Sequence, residues 1–221
     1  MGRMNHLLWD VDGTLVFNGT DAGNLYHEAA ELAAGRTIAD RLPNTHGKTD
    51  AQILAETLSG HGLDPALHAA AALHLDELSR LRHERGEHRV LCPGVAEALA
   101  ATSAAGWTNS LLTGNGRNRS RFKLSGAGLD VDTIDWKHSY FGDTTLVRSD
   151  LTRRAASELE GTVIIIGDTP NDGVAADAAG FAFYAVATGA YTAQQLRETS
   201  AVIVLDDLAS GLPELLAALP R

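Results

Sequence analysis

The sequence predicts an α/β fold, a Rossmann-like core built on a parallel sheet with a helical domain inserted after the first strand. Three observations predict it. From residue 90 onward short apolar runs alternate with helical segments, the pattern of right-handed crossover units covered by helices on both faces. Residues 1–16 carry one more strand running into a turn, "HLLWDVDGT". The stretch between offers helical periodicity and no convincing strand. The core is therefore expected to comprise 1–16 and 90–221, and the helical insertion 17–89.

Each element has its own justification. After the first strand, "TDAGNLYHEAAELAAG" offers Thr20 or Asp21 as an N-cap, places Leu25, Ala29, Leu32 and Ala33 on one face, and stops at Gly35. "TDAQILAETLSG" reads as a second helix. In "DPALHAAAALHLDELSRLRHERG" Asp64 caps, Pro65 suits the first helical position, and Leu67, Ala71, Leu78 and Leu81 recur near helical spacing. Beyond residue 90 the strands are "WTNSLLTGN", "VIIIGD", "FAFYAVATG" and "AVIVLDD", with "PGVAEALAATSAAG" and "NDGVAADAAG" among the intervening helices.

Composition narrows the function. The chain has 221 residues, of which 44% are hydrophobic and 21% charged, enough to bury a substantial core. A net charge of -10 gives no basic footprint for nucleic acid or an anionic membrane, so a small molecule is the expected partner. The single cysteine, Cys92, excludes an intramolecular disulfide and a cysteine-built metal site, and its context "VLCPGV" reads as packing beside a helix start. The apolar stretch near the N-terminus is too short for a signal peptide and no run reaches membrane-spanning length, so a cytoplasmic protein is expected. Oligomeric state has no signature here.

In a parallel sheet, ligands bind outside the carboxyl ends of the strands. Three apolar runs end in polar clusters there: "LLWDVDGT", "NSLLTGN" and "VIIIGDTPND". Singly each has a local explanation, since Asp10 suits a turn, Thr113 can bond its own backbone and Asp168 can start a helix. Together they would gather Asp10, Asp12, Asp168 and Asp172 in one crevice. Such carboxylates repel one another unless a cation sits among them, and a hard, oxygen-liganded ion such as Mg2+ suits a phosphate substrate.

Rival motifs fail on spacing. His61, His68, His74, His83 and His88 crowd one region, but no two of them stand at i, i+4 on one helix face as a zinc pair would. "DVDGTL" begins like a calcium loop, yet Leu15 occupies the required glycine position and Asp21 the required glutamate position. "GNGRNR" lacks the third glycine of a dinucleotide fingerprint.

These residues resemble the haloacid dehalogenase superfamily, in particular its phosphoglycolate-phosphatase-like hydrolases. "DVDGTL" is similar to the first family motif, "LLTGN" to the second and "VIIIGDTPNDGVAADAAG" to the fourth, and the likeness spans the chain with the helical insertion as a cap domain. The resemblance implies a Mg2+-dependent phosphatase acting on a small phosphorylated metabolite. Asp10 would be the nucleophile that forms an aspartyl-phosphate, and Asp12 the general acid and then general base. Gly13 would allow the sharp turn, and Thr14, Thr113 and the Gly114 and Asn115 backbone would hold phosphoryl oxygens. Mg2+ would be held by Asp10, Asp168 and the Asp12 main-chain carbonyl, with Asp172 in support.

The third motif departs from the family pattern. Where the family supplies a lysine, the best-placed cation is Arg148 in "FGDTTLVRSDL", with Lys137 and Lys123 as rivals. In "HGKTDAQI" Lys48 precedes a helix N-terminus and is expected to meet the anionic substrate from the cap. A phosphomutase using the same aspartate pair is the enzymatic alternative, and a non-catalytic binding protein of the same fold the other.

Overall fold

The computed structural model describes residues 4–19, 22–39, 45 and 47–220. Six parallel strands form one sheet in the order β3-β2-β1-β4-β5-β6. They are β1 (Asn5–Trp9), β2 (Trp107–Thr113), β3 (Tyr140–Phe141), β4 (Val163–Gly167), β5 (Ala182–Val186) and β6 (Ile203–Leu205). The expected strands are present. Only β3 was not foreseen, a two-residue edge strand that pairs Leu112 with Tyr140 and Thr113 with Phe141. A segment that short carries no alternation of its own and is strand only because β2 presents an edge to it.

Side-chain alternation along the strands builds the two faces of the core. Leu7, Trp9, Leu111, Ile164 and Ile166 point to one face and pack with Val95 and Leu99 of α4 (Val95–Ala104), Leu124 of α5 (Arg117–Gly126) and Leu208 and Leu215 of α9 (Leu208–Ala218). Leu8, Leu112, Ile165 and Phe183 point to the other. There they meet Leu151 of α6 (Arg148–Glu158), Ala176 of α7 (Pro170–Asp177) and Leu196 of α8 (Ala193–Arg197). Both faces are thereby covered, as a parallel sheet requires. Cys92 is buried in the first of these layers, next to α4.

Between β1 and α4 lie three helices, α1 (Ala22–Ala34), α2 (Asp50–Gly60) and α3 (His68–Glu84), with no strand among the described residues of that stretch. They pack on one another through Leu25, Ala29, Ile53, Leu54, Ala71, Leu75 and Leu78. Thr20 and Asp21, the expected caps of α1, lie outside the described residues. Gly35 does end that helix, at a φ of 64°. Leu32, expected on the buried face, is 49% exposed, because the apolar stripe of α1 runs through Leu25, Tyr26 and Ala29. Asp64 and Pro65 start a single 3-10 turn, Pro65–Leu67, with the α-helix proper beginning at His68; the Asp64 carboxylate accepts the Ala66 N–H at 2.9 Å.

The sheet order reverses between β1 and β4, so the crevice at their carboxyl ends is the topological switch point where ligands of such sheets bind. Asp10 follows β1, Asp168 follows β4, and Thr113 closes β2. Three neighbouring strands therefore deliver their terminal residues to one place.

Candidate active site

The acidic residues segregate into two environments. Carboxylate oxygens of Asp10, Asp168 and Asp172 lie within 4.8 Å of one another, and all three residues are buried. Burial pushes the Asp10 carboxyl up to about 6; Arg148 opposes that rise, and Asp172 and Asp12 add to it. Burial, reinforced by the charges of Asp10 and Asp172, likewise holds Asp168 well above the usual carboxylate range. Oxygen-only donors that repel one another in a dry pocket are a fit for a hard divalent cation, which would relieve the repulsion. Among the described residues no histidine joins such a cluster.

Asp12 behaves oppositely. Its carboxylate is turned to Lys123, whose Nζ lies 2.7 Å from Oδ1 and 2.5 Å from Oδ2. Burial raises its pKa, but the Lys123 charge and hydrogen bonds and the Asn115 amide outweigh this and take it down to about 2. The two carboxylates expected as nucleophile, Asp10, and as acid/base, Asp12, thus have opposite shifts two residues apart. Their environments differ because Asp10 faces the acidic group and Asp12 faces α5.

Arg148, at the first position of α6, is buried to 7% exposure and places Nη2 3.0 Å from Asp10 Oδ1 and 2.5 Å from Asp172 Oδ1. The same Nη2 donates to the Leu112 carbonyl at 3.2 Å. Of the three cations weighed for the third motif, Arg148 alone touches the acidic trio, Lys123 holds Asp12, and Lys137 is exposed on the loop before β3. Asp172 is fixed by a capping box at the start of α7: its Oδ2 accepts the Thr169 N–H at 3.0 Å and the Thr169 hydroxyl at 2.8 Å.

Glycines make room for these carboxylates. Gly13, with φ of 82°, closes the turn after Asp12, and a Cβ there would stand 2.2 Å from Asp168 Oδ2. Gly189, after β5, approaches the same oxygen, and a Cβ there would stand at 1.7 Å. Gly189 is not among the residues expected at the site. Its only local signal is the strand-ending "ATG", the same kind of boundary that marked the other loops.

The remaining expected ligand residues divide. Thr113 and Asn115 line the cavity above Asp10, and Asn115 donates to Asp12 Oδ2 at 2.8 Å and to Thr113 Oγ1 at 2.9 Å. Gly114 lines it too and lets the Lys48 main chain approach, since a Cβ at Gly114 would be 2.0 Å from the Lys48 carbonyl oxygen. Lys48 borders this cavity while its Nζ pairs with Glu56 at 2.5 Å. Thr14 has no exposed surface, and its hydroxyl donates to Asp168 Oδ1 at 3.1 Å, which makes it a holder of the acidic trio.

Residues that the sequence reading missed join α5 to the inserted helices. The Arg119 guanidinium pairs with Asp50 at the start of α2 and donates to the Tyr26 hydroxyl of α1 at 2.9 Å, all three being buried. Tyr26 in turn donates to Asp50 at 2.7 Å, and Asp50 accepts the Gly116 N–H at 2.7 Å. The signal was present as Arg119 and Lys123 at i, i+4 on one helix, which sets them on one face.

A buried carboxylate group at the switch point of a parallel sheet, approached by one arginine and roofed by inserted helices, defines the class, and the sequence match gives the family. A family model for haloacid dehalogenase-like hydrolase matches residues 7–177, and the chain belongs to that family. Its fold is similar to that of a hydrolase from Pseudomonas syringae (18% identity, TM-score 0.69, 97% of this chain and 99% of that chain covered). It is also similar to CbbY from Rhodobacter sphaeroides in complex with phosphate (19%, 0.62, 94% and 96%). A third likeness is to a putative beta-phosphoglucomutase from Thermotoga maritima (20%, 0.58, 98% and 100%). At these identities the likeness is one of fold. A search of curated protein sequences gives no match.

Proposed function

We propose that this protein is a Mg2+-dependent phosphatase that hydrolyses small phosphomonoesters through an aspartyl-phosphate on Asp10. The observation that carries the reading is the Asp10 carboxylate, which borders the cavity 3.0 Å from Arg148 and lies in one buried group with Asp168 and Asp172. Within a hydrolase family, that arrangement suits attack on phosphorus better than proton transfer.

Asp10, Asp168 and Asp172 would hold the metal, together with the Asp12 main-chain carbonyl, and the ion would supply charge neutralisation at the phosphoryl oxygens. An Asp10 oxygen attacks phosphorus and the bond to the leaving alcohol breaks, so one displacement becomes two. Arg148 keeps the nucleophile oriented and offsets charge on the transferring group. Asp12 serves the alcohol and then the hydrolytic water as acid and base. In the free protein it is an ionised acceptor, ready for the base half of the cycle. Arrival of a phosphate dianion opposes the charge on Asp12, which shifts Asp12 toward the protonated form needed by the leaving alcohol.

Residues 17–89 serve as the cap in this reading, closing over the cavity through Lys48, Asp50 and Tyr26 and excluding water during transfer to Asp10. A phosphomutase would use the same pair and need a sugar bisphosphate to prime it. The fold shared with a putative beta-phosphoglucomutase keeps that as the second reading. The test is turnover of p-nitrophenyl phosphate with and without Mg2+, and with and without a sugar bisphosphate. Mg2+-dependent phosphate release that needs no bisphosphate is expected; strict dependence on the bisphosphate moves the assignment to a mutase, and no turnover of any phosphoester removes both.

A further inference from the structure

The Lys123 ammonium has three N–H donors, and three acceptor atoms surround it: Asp12 Oδ1 at 2.7 Å, Asp12 Oδ2 at 2.5 Å and Asn115 Oδ1 at 2.7 Å. Every donor is committed within the free protein. A lysine poised to grip phosphate would keep a donor for it, whereas this one is spent on the side chain of a neighbour. Asn115 closes the arrangement by donating to Asp12 Oδ2 at 2.8 Å while its carbonyl accepts from Lys123. The Asp12 carboxylate is thereby gripped from two sides, with 32% of its side chain still open.

The helix that carries Lys123 is itself anchored. One turn earlier, Arg119 is locked to Asp50 and Tyr26 of the inserted helices and receives a further contact from Ser79, whose oxygen accepts Nε at 3.2 Å. The grip on Asp12 is therefore tied to a fixed helix.

We propose that Lys123 is a positioning residue that holds the Asp12 carboxylate in the orientation used for proton transfer. The inference rests on the assignment of Asp12 as acid/base made above. It says that Lys123 acts through Asp12, so its loss costs most where Asp12 is most needed.

The measurement is kcat/KM for ethyl phosphate, a poor leaving group, divided by kcat/KM for p-nitrophenyl phosphate, a good one, with Mg2+ present. Because the ratio is taken within one preparation, it is insensitive to any unfolded fraction. Asp12→Asn should lower the ratio about a hundredfold, the lower end of what positioned acid/base groups contribute. Lys123→Met should lower it in the same direction, Lys123→Arg should recover part, and Asp12→Asn with Lys123→Met should equal Asp12→Asn alone. A Lys123→Met ratio equal to wild type, or a double variant whose ratio falls by the product of the two single effects, overturns the positioning role. An unchanged ratio in Asp12→Asn overturns the acid/base assignment and this inference with it.

Discussion

Arg148 Nη2 stands between two carboxylates, 3.0 Å from Asp10 Oδ1 and 2.5 Å from Asp172 Oδ1, so a single guanidinium nitrogen ties the proposed nucleophile to the aspartate of the α7 capping box. On the proposed mechanism Arg148 would be more than a neutralising charge, orienting the Asp10 oxygen as well. Arg148→Ala should lower kcat/KM by roughly 100- to 1000-fold, the scale for removing one preorganised donor at developing charge. Arg148→Lys should restore part of it, while Lys137→Ala, on an exposed loop, should match wild type. Steady-state kinetics on one phosphoester decide the matter; a collapse at Lys137 with Arg148→Ala unaffected would relocate the cation.

Asp10→Asn should abolish turnover and also change stability in a pH-dependent way. The folded-state pKa of Asp10 is raised from 3.8 to about 6, so its ionisation is easier in the unfolded chain. Its stabilising contribution is complete below 3.8 and is lost as pH rises through about 6. The asparagine variant carries no such loss. In metal-free buffer its Tm should exceed that of wild type at pH 7.5, and the gap should close toward pH 4. Thermal melts across that range check it, and a gap that widens toward acid would contradict the electrostatic account.

Mg2+ should raise Tm through linkage to the folded state, and the rise should grow with pH. Protonation of Asp10 and Asp168, both with raised pKa, competes with metal at the same oxygens. At saturating Mg2+ the Tm increment should therefore be larger at pH 8 than at pH 5, and Asp168→Asn should remove most of it. An increment independent of pH, or undiminished in Asp168→Asn, would place the bound metal elsewhere.

Gly189→Ala tests the close approach to Asp168. A Cβ at that position would lie 1.7 Å from Asp168 Oδ2, so the carboxylate has to move. Overpacking of this kind costs about 1–3 kcal/mol, and the displaced oxygen should weaken Mg2+ activation as well. The expected result is a lower Tm together with a higher Mg2+ requirement in a phosphatase assay; unchanged values of both would mean that the turn yields without disturbing Asp168.

Short-range information was sufficient for much of this molecule. The apolar runs "HLLW", "VIII" and "FAFYAV" specify strands because short apolar runs rich in β-branched and aromatic residues act over a few residues, and a polar residue after them falls at the carboxyl end of the sheet whatever the rest of the chain does. Asp10 and Asp168 were legible on those terms, whereas Arg148 was expected only through the resemblance, as the best-placed cation for the third family motif. Tertiary structure decided the rest. Thr14, separated from Asp168 by 154 residues, bonds it because β1 and β4 are neighbours in the sheet, and Lys123 reaches Asp12 across 111 residues because α5 lies over the end of β1. Leu32 turns outward and the pair Tyr140–Phe141 becomes a strand for the same reason: which surface a helix buries and which edge a segment meets depend on neighbours brought by the fold. Local propensity and periodicity are properties of contiguous residues, whereas hydrogen bonds between distant side chains exist only once packing has set their distance and direction.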